Sequence, residues 1–224
     1  MSQTIHINVV ENILVANDQI ALENSQILET NGVMSFNIMA SPGAGKTSFI
    51  LKTIERLSEK YRIGVIEGDT SSATIDADKI SALDLPAVQI NTGGDCHLDA
   101  NMFRSGLKNL PMESLDIVLV ENVGNLICPA AFKLGTSKNI LVASIPEGDD
   151  KPYKYPAIYS AVDALIINKT DLLPYITFNM DYFIDGVRML NPNLVTFPMS
   201  CKTDEGVGKW ADSVDEALIK FRNR

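Results

Sequence analysis

Ala40-Ser41-Pro42-Gly43-Ala44-Gly45-Lys46-Thr47 stands between an apolar stretch, Met34 to Met39, and a helical pattern that begins at Gly45. That arrangement reads as a strand, a phosphate-cradling loop and a helix. Gly43, Ala44 and Gly45 let backbone amides converge on β-phosphate oxygens, and Lys46 neutralises charge between the β- and γ-phosphates. Thr47 offers a hydroxyl to Mg²⁺ and Ser48 follows it into the first helical turn, whose dipole favours anions. The first position of the pattern is Ala40 where glycine is usual. The chemistry indicated is the binding of a nucleoside triphosphate.

A second motif, Asn168-Lys169-Thr170-Asp171, follows another buried-strand pattern and adds base identity. The Asp171 carboxylate can accept from the ring N–H and the exocyclic amine of guanine, while Lys169 lays its alkyl stem along the base. Adenine lacks that donor pair, and a site built for specific hydrogen bonds rejects an analogue that leaves its polar groups unpaired. GTP and GDP are therefore the expected ligands. Ser200-Cys201-Lys202-Thr203 follows the next strand pattern and can bring Ser200, Cys201 and Lys202 amides to the guanine carbonyl; Cys201 itself reads as structural.

Two carboxylates are expected to complete a Mg²⁺ site with Thr47. Glu121-Asn122-Val123-Gly124 ends one strand, with Gly124 permitting close backbone approach to a γ-phosphate, and Asp69 ends another. Asp76 is available to orient an attacking water. The alternatives are a turn or cap role for Asp69 and a solvated helix-face role for Asp76. Phosphoryl transfer needs mainly positioning and charge stabilisation, which Lys46, Asp69, Asp76 and Glu121 can supply. No arginine is placed as a finger, so slow, switch-like hydrolysis is expected.

Asp95-Cys96-His97 and Cys128 form a different chemistry. One of only two histidines lies beside one of only three cysteines, and Cys128 comes seven residues after Glu121. Two thiolates and an imidazole suit Zn²⁺ or Ni²⁺. Buried thiols and a hydrogen-bonded histidine are the plainer reading of the same residues. The strands before Cys96 and Cys128 are expected to lie close together. Three ligands leave a tetrahedral site open for water, Asp95 or a second subunit across a two-fold axis.

The elements that must position these groups alternate. Residues 1–33 carry a helical spacing in Ile13, Ala16, Ile20, Leu22 and Ile27, and are expected to form a helical segment packed on a core spanning 34–224. Strands are expected at 34–40, 62–68, 87–92, 115–121, 138–145, 163–168 and 193–200. Helices are expected at 45–60, near 73–83, and at 98–109, 156–161, 179–190 and 206–222. The fold class is α/β, a mainly parallel central sheet with helices on both faces and ligands at the carboxyl ends of its strands.

At 224 residues with a net charge of −9 and a pI near 4.7, the chain offers no basic stripe for nucleic acid or anionic lipid. It has no membrane-length apolar run and no signal-peptide pattern, so a cytoplasmic location is expected. Three scattered cysteines do not make a disulfide framework.

Together the phosphate loop, Glu67-Gly68-Asp69, Cys96-His97-Leu98-Asp99-Ala100, Glu121 to Leu126 with Cys128-Pro129, Glu147 to Pro152 and Asn168 to Asp171 resemble the hydrogenase nickel-incorporation GTPases of the HypB family, in the SIMIBI class of P-loop proteins. The resemblance spans most of residues 34–210. It implies a GTPase that forms a homodimer on GTP and holds nickel or zinc at an interface of Cys96, His97 and Cys128. It also implies delivery of nickel to the [NiFe]-hydrogenase large subunit precursor alongside a small zinc-binding accessory protein. By the same resemblance Lys154 reaches the nucleotide across the dimer; a solvated loop lysine is the other reading. The chain departs from some members in having no cysteine and only His6 in residues 1–33, so an N-terminal nickel-storage role is not supported. Three rival readings stand beside this one: a urease-type nickel-insertion GTPase, a metal-carrying binding protein whose GTP hydrolysis is incidental, and a metal-independent GTPase chaperone of a cobalamin enzyme.

Overall fold

A computed structural model describes residues 9–70 and 84–223 of the chain. His6, Asp76 and the helix expected near 73–83 lie outside the described residues.

The apolar run Met34–Ala40 forms β1, the central strand, and every residue of it is buried. In a sheet covered on both faces a continuous apolar run replaces alternation. Beside it lie β2 (Ile63–Asp69), β3 (Ala87–Asn91), β4 (Ile117–Glu121), β5 (Lys138–Ser144), β6 (Ala164–Asn168) and β7 (Val195–Pro198). All pair in parallel, in the order β3-β2-β4-β1-β5-β6-β7. The chain builds β2, β3 and β4 on one side of β1 and β5, β6 and β7 on the other. The strand order therefore reverses at β1, where an open parallel sheet binds its ligand. β7 is an edge strand, and among the described residues it is the strand that accommodates a proline, Pro198, where no further ladder is needed.

The helices are α1 (Val9–Thr30), α2 (Lys46–Leu57), α3 (Ala100–Lys108), α4 (Lys151–Lys154), α5 (Pro156–Ala161), α6 (Met180–Leu190) and α7 (Val207–Arg222). One sheet face buries Phe36, Ile38, Val65, Leu119 and Val142 against Phe49, Ile50 and Ile54 of α2 and Trp210 and Val214 of α7. Among the described residues the opposite face carries two separate apolar clusters. Leu28, Phe103, Leu107, Val118 and Val120 lie at the α1 and α3 end. Leu141, Ile158, Leu165, Phe183 and Val187 lie at the α5 and α6 end.

Between those two clusters runs a polar seam. Asn122 Nδ2 donates to Asn37 Oδ1 at 3.1 Å, Asn37 Nδ2 donates to Asn139 Oδ1 at 3.0 Å, and Ser35 pairs with Ser137. Buried carboxamides are tolerated where every group finds a partner.

The expected elements at 34–40, 87–92, 156–161 and 206–222 are found within a residue or two of those bounds. The expected helix 98–109 begins at Ala100, because Asp99 caps it by accepting from Met102 N at 2.7 Å. The expected strand 193–200 is shorter, ending at Pro198, and the helix α4 is an element that periodicity did not show. β3 and β4 are not neighbours, since β2 lies between them. Among the described residues no helix is long and apolar enough to cross a membrane.

Candidate functional site

The loop from Ala40 to Lys46 turns on two glycines with positive φ, Gly43 at 78° and Gly45 at 101°. At Gly45 a Cβ would come within 2.5 Å of Asn168 Nδ2, so the position needs glycine for both space and conformation. Asn168 holds this loop to β6: its Nδ2 donates to Ala44 O at 3.1 Å, and its Oδ1 accepts from Lys169 N at 2.8 Å and Cys201 N at 3.2 Å. Lys169, itself at φ 62°, reaches back to donate to Gly43 O at 2.6 Å. The phosphate loop and the base motif are thus one hydrogen-bonded unit.

Gly45, Ser48, Asn168, Lys169, Asp171, Leu172, Cys201 and Lys202 line a cavity of about 350 Å³ at the carboxyl end of β6. Ser200 is fully buried, and its hydroxyl donates to Asp171 Oδ1 at 2.6 Å while accepting from Lys202 N and Thr203 N at 3.2 Å. The Ser200 side chain therefore orients the Asp171 carboxylate, a contact the sequence did not indicate. Asp204, at φ 68°, ties this loop to α2 through Lys52 at 3.5 Å and through Arg56. Burial pushes the Cys201 thiol up to about 11, which suits the structural role expected for it.

On the other side of the phosphate loop, Thr47 Oγ1 donates to Glu121 Oε1 at 2.9 Å. Glu121 is buried at the end of β4, opposite Glu67 of β2 in register, and Asp69 closes β2 two residues further on. A hydroxyl and carboxylates at the ends of neighbouring strands are hard oxygen donors of the kind Mg²⁺ requires. Gly124 sits tight against the loop: a Cβ there would lie 3.2 Å from Pro42 and 3.3 Å from Lys46 Nζ.

The soft donors gather nearby. Cys96 Sγ and Cys128 Sγ lie 2.8 Å apart, His97 Nδ1 is 3.8 Å from the Cys96 sulfur, and the three ligand atoms fall within 4.8 Å of one another. The intervening β2 does not keep them apart: Leu98, next to His97, packs on Gly68 of β2, and its N–H donates to Asn122 Oδ1 at the end of β4 at 3.0 Å. Asn125 bridges the two segments, donating to Cys96 O at 3.3 Å and accepting from Ile127 N at 2.9 Å. Phe132 packs against the imidazole with ring centroids 4.0 Å apart and the planes tilted by 38°. Burial lowers the His97 pKa, and the Cys96 contact followed by burial raises that of Cys128. Asp95 is not part of this group among the described residues.

Lys154 is exposed and pairs within the chain with Asp150 at 2.5 Å. Several residues outside the expected site brace it, although Glu147 opens one of the motifs that carry the resemblance. Glu147 accepts from Ser144 N and Oγ at 2.9 Å and from Ser41 of the phosphate loop, with burial raising its pKa. From α1, Asn17 Oδ1 accepts from Ala100 N at 2.9 Å and Asn17 Nδ2 donates to Lys133 O at 2.8 Å. Asn24 Nδ2 donates to Ala100 O at 2.8 Å and Leu134 O at 2.9 Å. Seven residues apart on an otherwise apolar helix face, these asparagines were a visible sign of buried polar contacts.

Residues 34–197 match the family model described as CobW/HypB/UreG, nucleotide-binding domain. A curated relative from Rhizobium leguminosarum bv. viciae, hydrogenase maturation factor HypB, is 44% identical over 207 residues, covering 92% of this chain and 69% of its own length. Among solved structures, HypB from Helicobacter pylori in complex with nickel superposes with TM-score 0.87 at 33% identity, covering 92% of this chain and 96% of the other. HypB from Archaeoglobus fulgidus gives TM-score 0.85 at 34% identity, covering 91% and 99%.

Proposed function

Because the chain belongs to the HypB branch of the CobW/HypB/UreG family, whose curated members are hydrogenase maturation factors, we propose that it is a GTP-hydrolysing nickel metallochaperone. Its cargo would be held by Cys96, His97 and Cys128 and its state set by nucleotide. The observation that carries this reading is the junction of two donor sets. The paired sulfurs of Cys96 and Cys128 belong to the same sheet edge as Glu121, whose carboxylate already holds the phosphate-loop Thr47.

Lys46 would stabilise charge on the transferring phosphoryl group, Thr47 with Asp69 and Glu121 would hold Mg²⁺, and Asp171 would select guanine. The metal ion, when bound, supplies charge neutralisation between the β- and γ-phosphates. Asp76 keeps its proposed role as orienter of water. The three soft ligands leave a coordination position that a second copy of the chain would complete, which favours a homodimer on GTP with Lys154 reaching across it. The acceptor of nickel would be the [NiFe]-hydrogenase large subunit precursor, with a small zinc-binding accessory protein as partner.

The test is mass in solution with GDP and with a non-hydrolysable GTP analogue, each with and without Ni²⁺. A dimer with the analogue, altered in affinity by nickel, is expected. A mass independent of both ligands would overturn the reading. Lys46→Ala separates the switch from a simple carrier, since nickel transfer that survives without nucleotide binding would leave only the carrier.

A further inference from the structure

One buried side chain touches both halves of this arrangement. Asn122 is the residue between Glu121 and Val123-Gly124, and it is fully buried. Its Oδ1 accepts from Val123 N at 2.9 Å and from Leu98 N at 3.0 Å. Its Nδ2 is held by Asn37 in the polar seam. Leu98 directly follows His97, and its side chain occupies the space that Gly68 leaves open, where a Cβ would come within 2.6 Å of Leu98 Cγ. Gly68 precedes Asp69. Leu98 is thus seated between the strand end that bears Asp69 and the carboxamide that follows Glu121.

We propose that Asn122 is a positioning residue that conveys the position of the Glu121–Gly124 loop to the Cys96-His97 arm of the soft-ligand site. This rests on the proposed function above, in which nucleotide and metal share one switch. A displacement of Glu121–Gly124 toward a γ-phosphate carries the carboxamide with it. The buried Leu98 amide must then follow or lose its acceptor, and an unsatisfied buried donor is costly. The rear of both soft-ligand loops is fixed, because Asn17 and Asn24 of α1 clamp Ala100 on one loop and Lys133 and Leu134 on the other. Movement entering at Leu98 is therefore expressed ahead of that clamp, as a change in the spacing of Cys96 from Cys128. The coupling is reciprocal, so nickel drawing the two sulfurs to a fixed spacing biases the phosphate loop through the same carboxamide.

The experiment is a titration of Ni²⁺ into the full chain with Mg²⁺ and either GDP or a non-hydrolysable GTP analogue. The wild-type chain is expected to show nickel affinities that differ between the two states by about 5-fold or more. Asn122→Ala is expected to bind nickel with a ratio between the states within about 2-fold of one, and Asn122→Asp, which keeps an acceptor facing Leu98 N, to retain the wild-type ratio. Asn122→Ser draws the acceptor back from that amide and serves in place of the alanine variant if the latter does not fold. A purely structural Asn122 would lower nickel affinity equally in both states and leave the ratio unchanged, which overturns the inference. So would loss of the ratio in Asn122→Asp. A wild-type ratio of one would instead overturn the nucleotide-metal switch itself.

Discussion

Cys96 and Cys128 place their sulfurs 2.8 Å apart although the strands they follow, β3 and β4, are separated by β2. Two thiols this close, with His97 beside them, suit a borderline-soft ion better than either thiol alone. Replacing one removes a charged ligand. Cys96→Ala and Cys128→Ala are each expected to weaken Ni²⁺ or Zn²⁺ binding by at least about 100-fold, a loss that metal titration with a competing chelator would measure.

Asn17 tests the brace behind that site. Its carboxamide bridges the amide of Ala100 and the carbonyl of Lys133, one on each soft-ligand loop. Removing it leaves the buried Ala100 amide without its acceptor and the part-buried Lys133 carbonyl without its donor, so Asn17→Ala is expected to cost about 1–3 kcal/mol of stability. It should also weaken metal binding by roughly 10-fold, as supporting contacts of metal ligands do. Denaturant unfolding and metal titration on the same sample would check both.

In the proposed function, guanine would be selected by Asp171, whose carboxylate Ser200 holds. Ser200→Ala removes the 2.6 Å hydrogen bond to Asp171 Oδ1 and the acceptor for two backbone amides. GTP and GDP affinity are expected to fall about 10-fold, and discrimination against ATP to narrow, as competition binding would show.

Gly45→Ala would place a side chain at φ 101° and within 2.5 Å of the Asn168 amide that anchors the loop. The loop must deform, and nucleotide affinity is expected to drop by more than about 100-fold. Equilibrium binding of a fluorescent GDP analogue would report it.

At the opposite edge of the sheet, Asp116 accepts from Arg62 N at 2.8 Å, from the Arg62 guanidinium at 3.0 Å and from Arg222 at 2.5 Å. These contacts, the Arg62 hydrogen bond first, lower its pKa from 3.8 to about 2. A carboxylate with a lowered folded pKa contributes fully above its unfolded value and loses that contribution as pH falls toward the folded one. Stability is therefore expected to decline between about pH 4 and pH 2 by roughly 1–2 kcal/mol from this group, allowing for solvent around the two arginines. Asp116→Asn should flatten that segment of an acid-unfolding profile.

Much of this protein was legible in one dimension because its chemistry is written in short contiguous motifs. Gly43 to Thr47 and Asn168 to Asp171 dictate their own local geometry, since glycine conformations, a helix start and a strand end are set by neighbours in sequence. The alternation of apolar runs and amphipathic stretches likewise fixed an α/β sheet. Other features depend on residues far apart in the chain. Strand order is such a feature, and periodicity could not tell that β2 divides β3 from β4. Nor could it show that Asn122 bonds to Leu98, that Ser41 leans on Glu147, or that two asparagines of α1 clamp both soft-ligand loops. Hydrogen bonds of a buried carboxamide go to whichever backbone groups the folded sheet brings within 3 Å or so, and only the closed tertiary structure decides which those are.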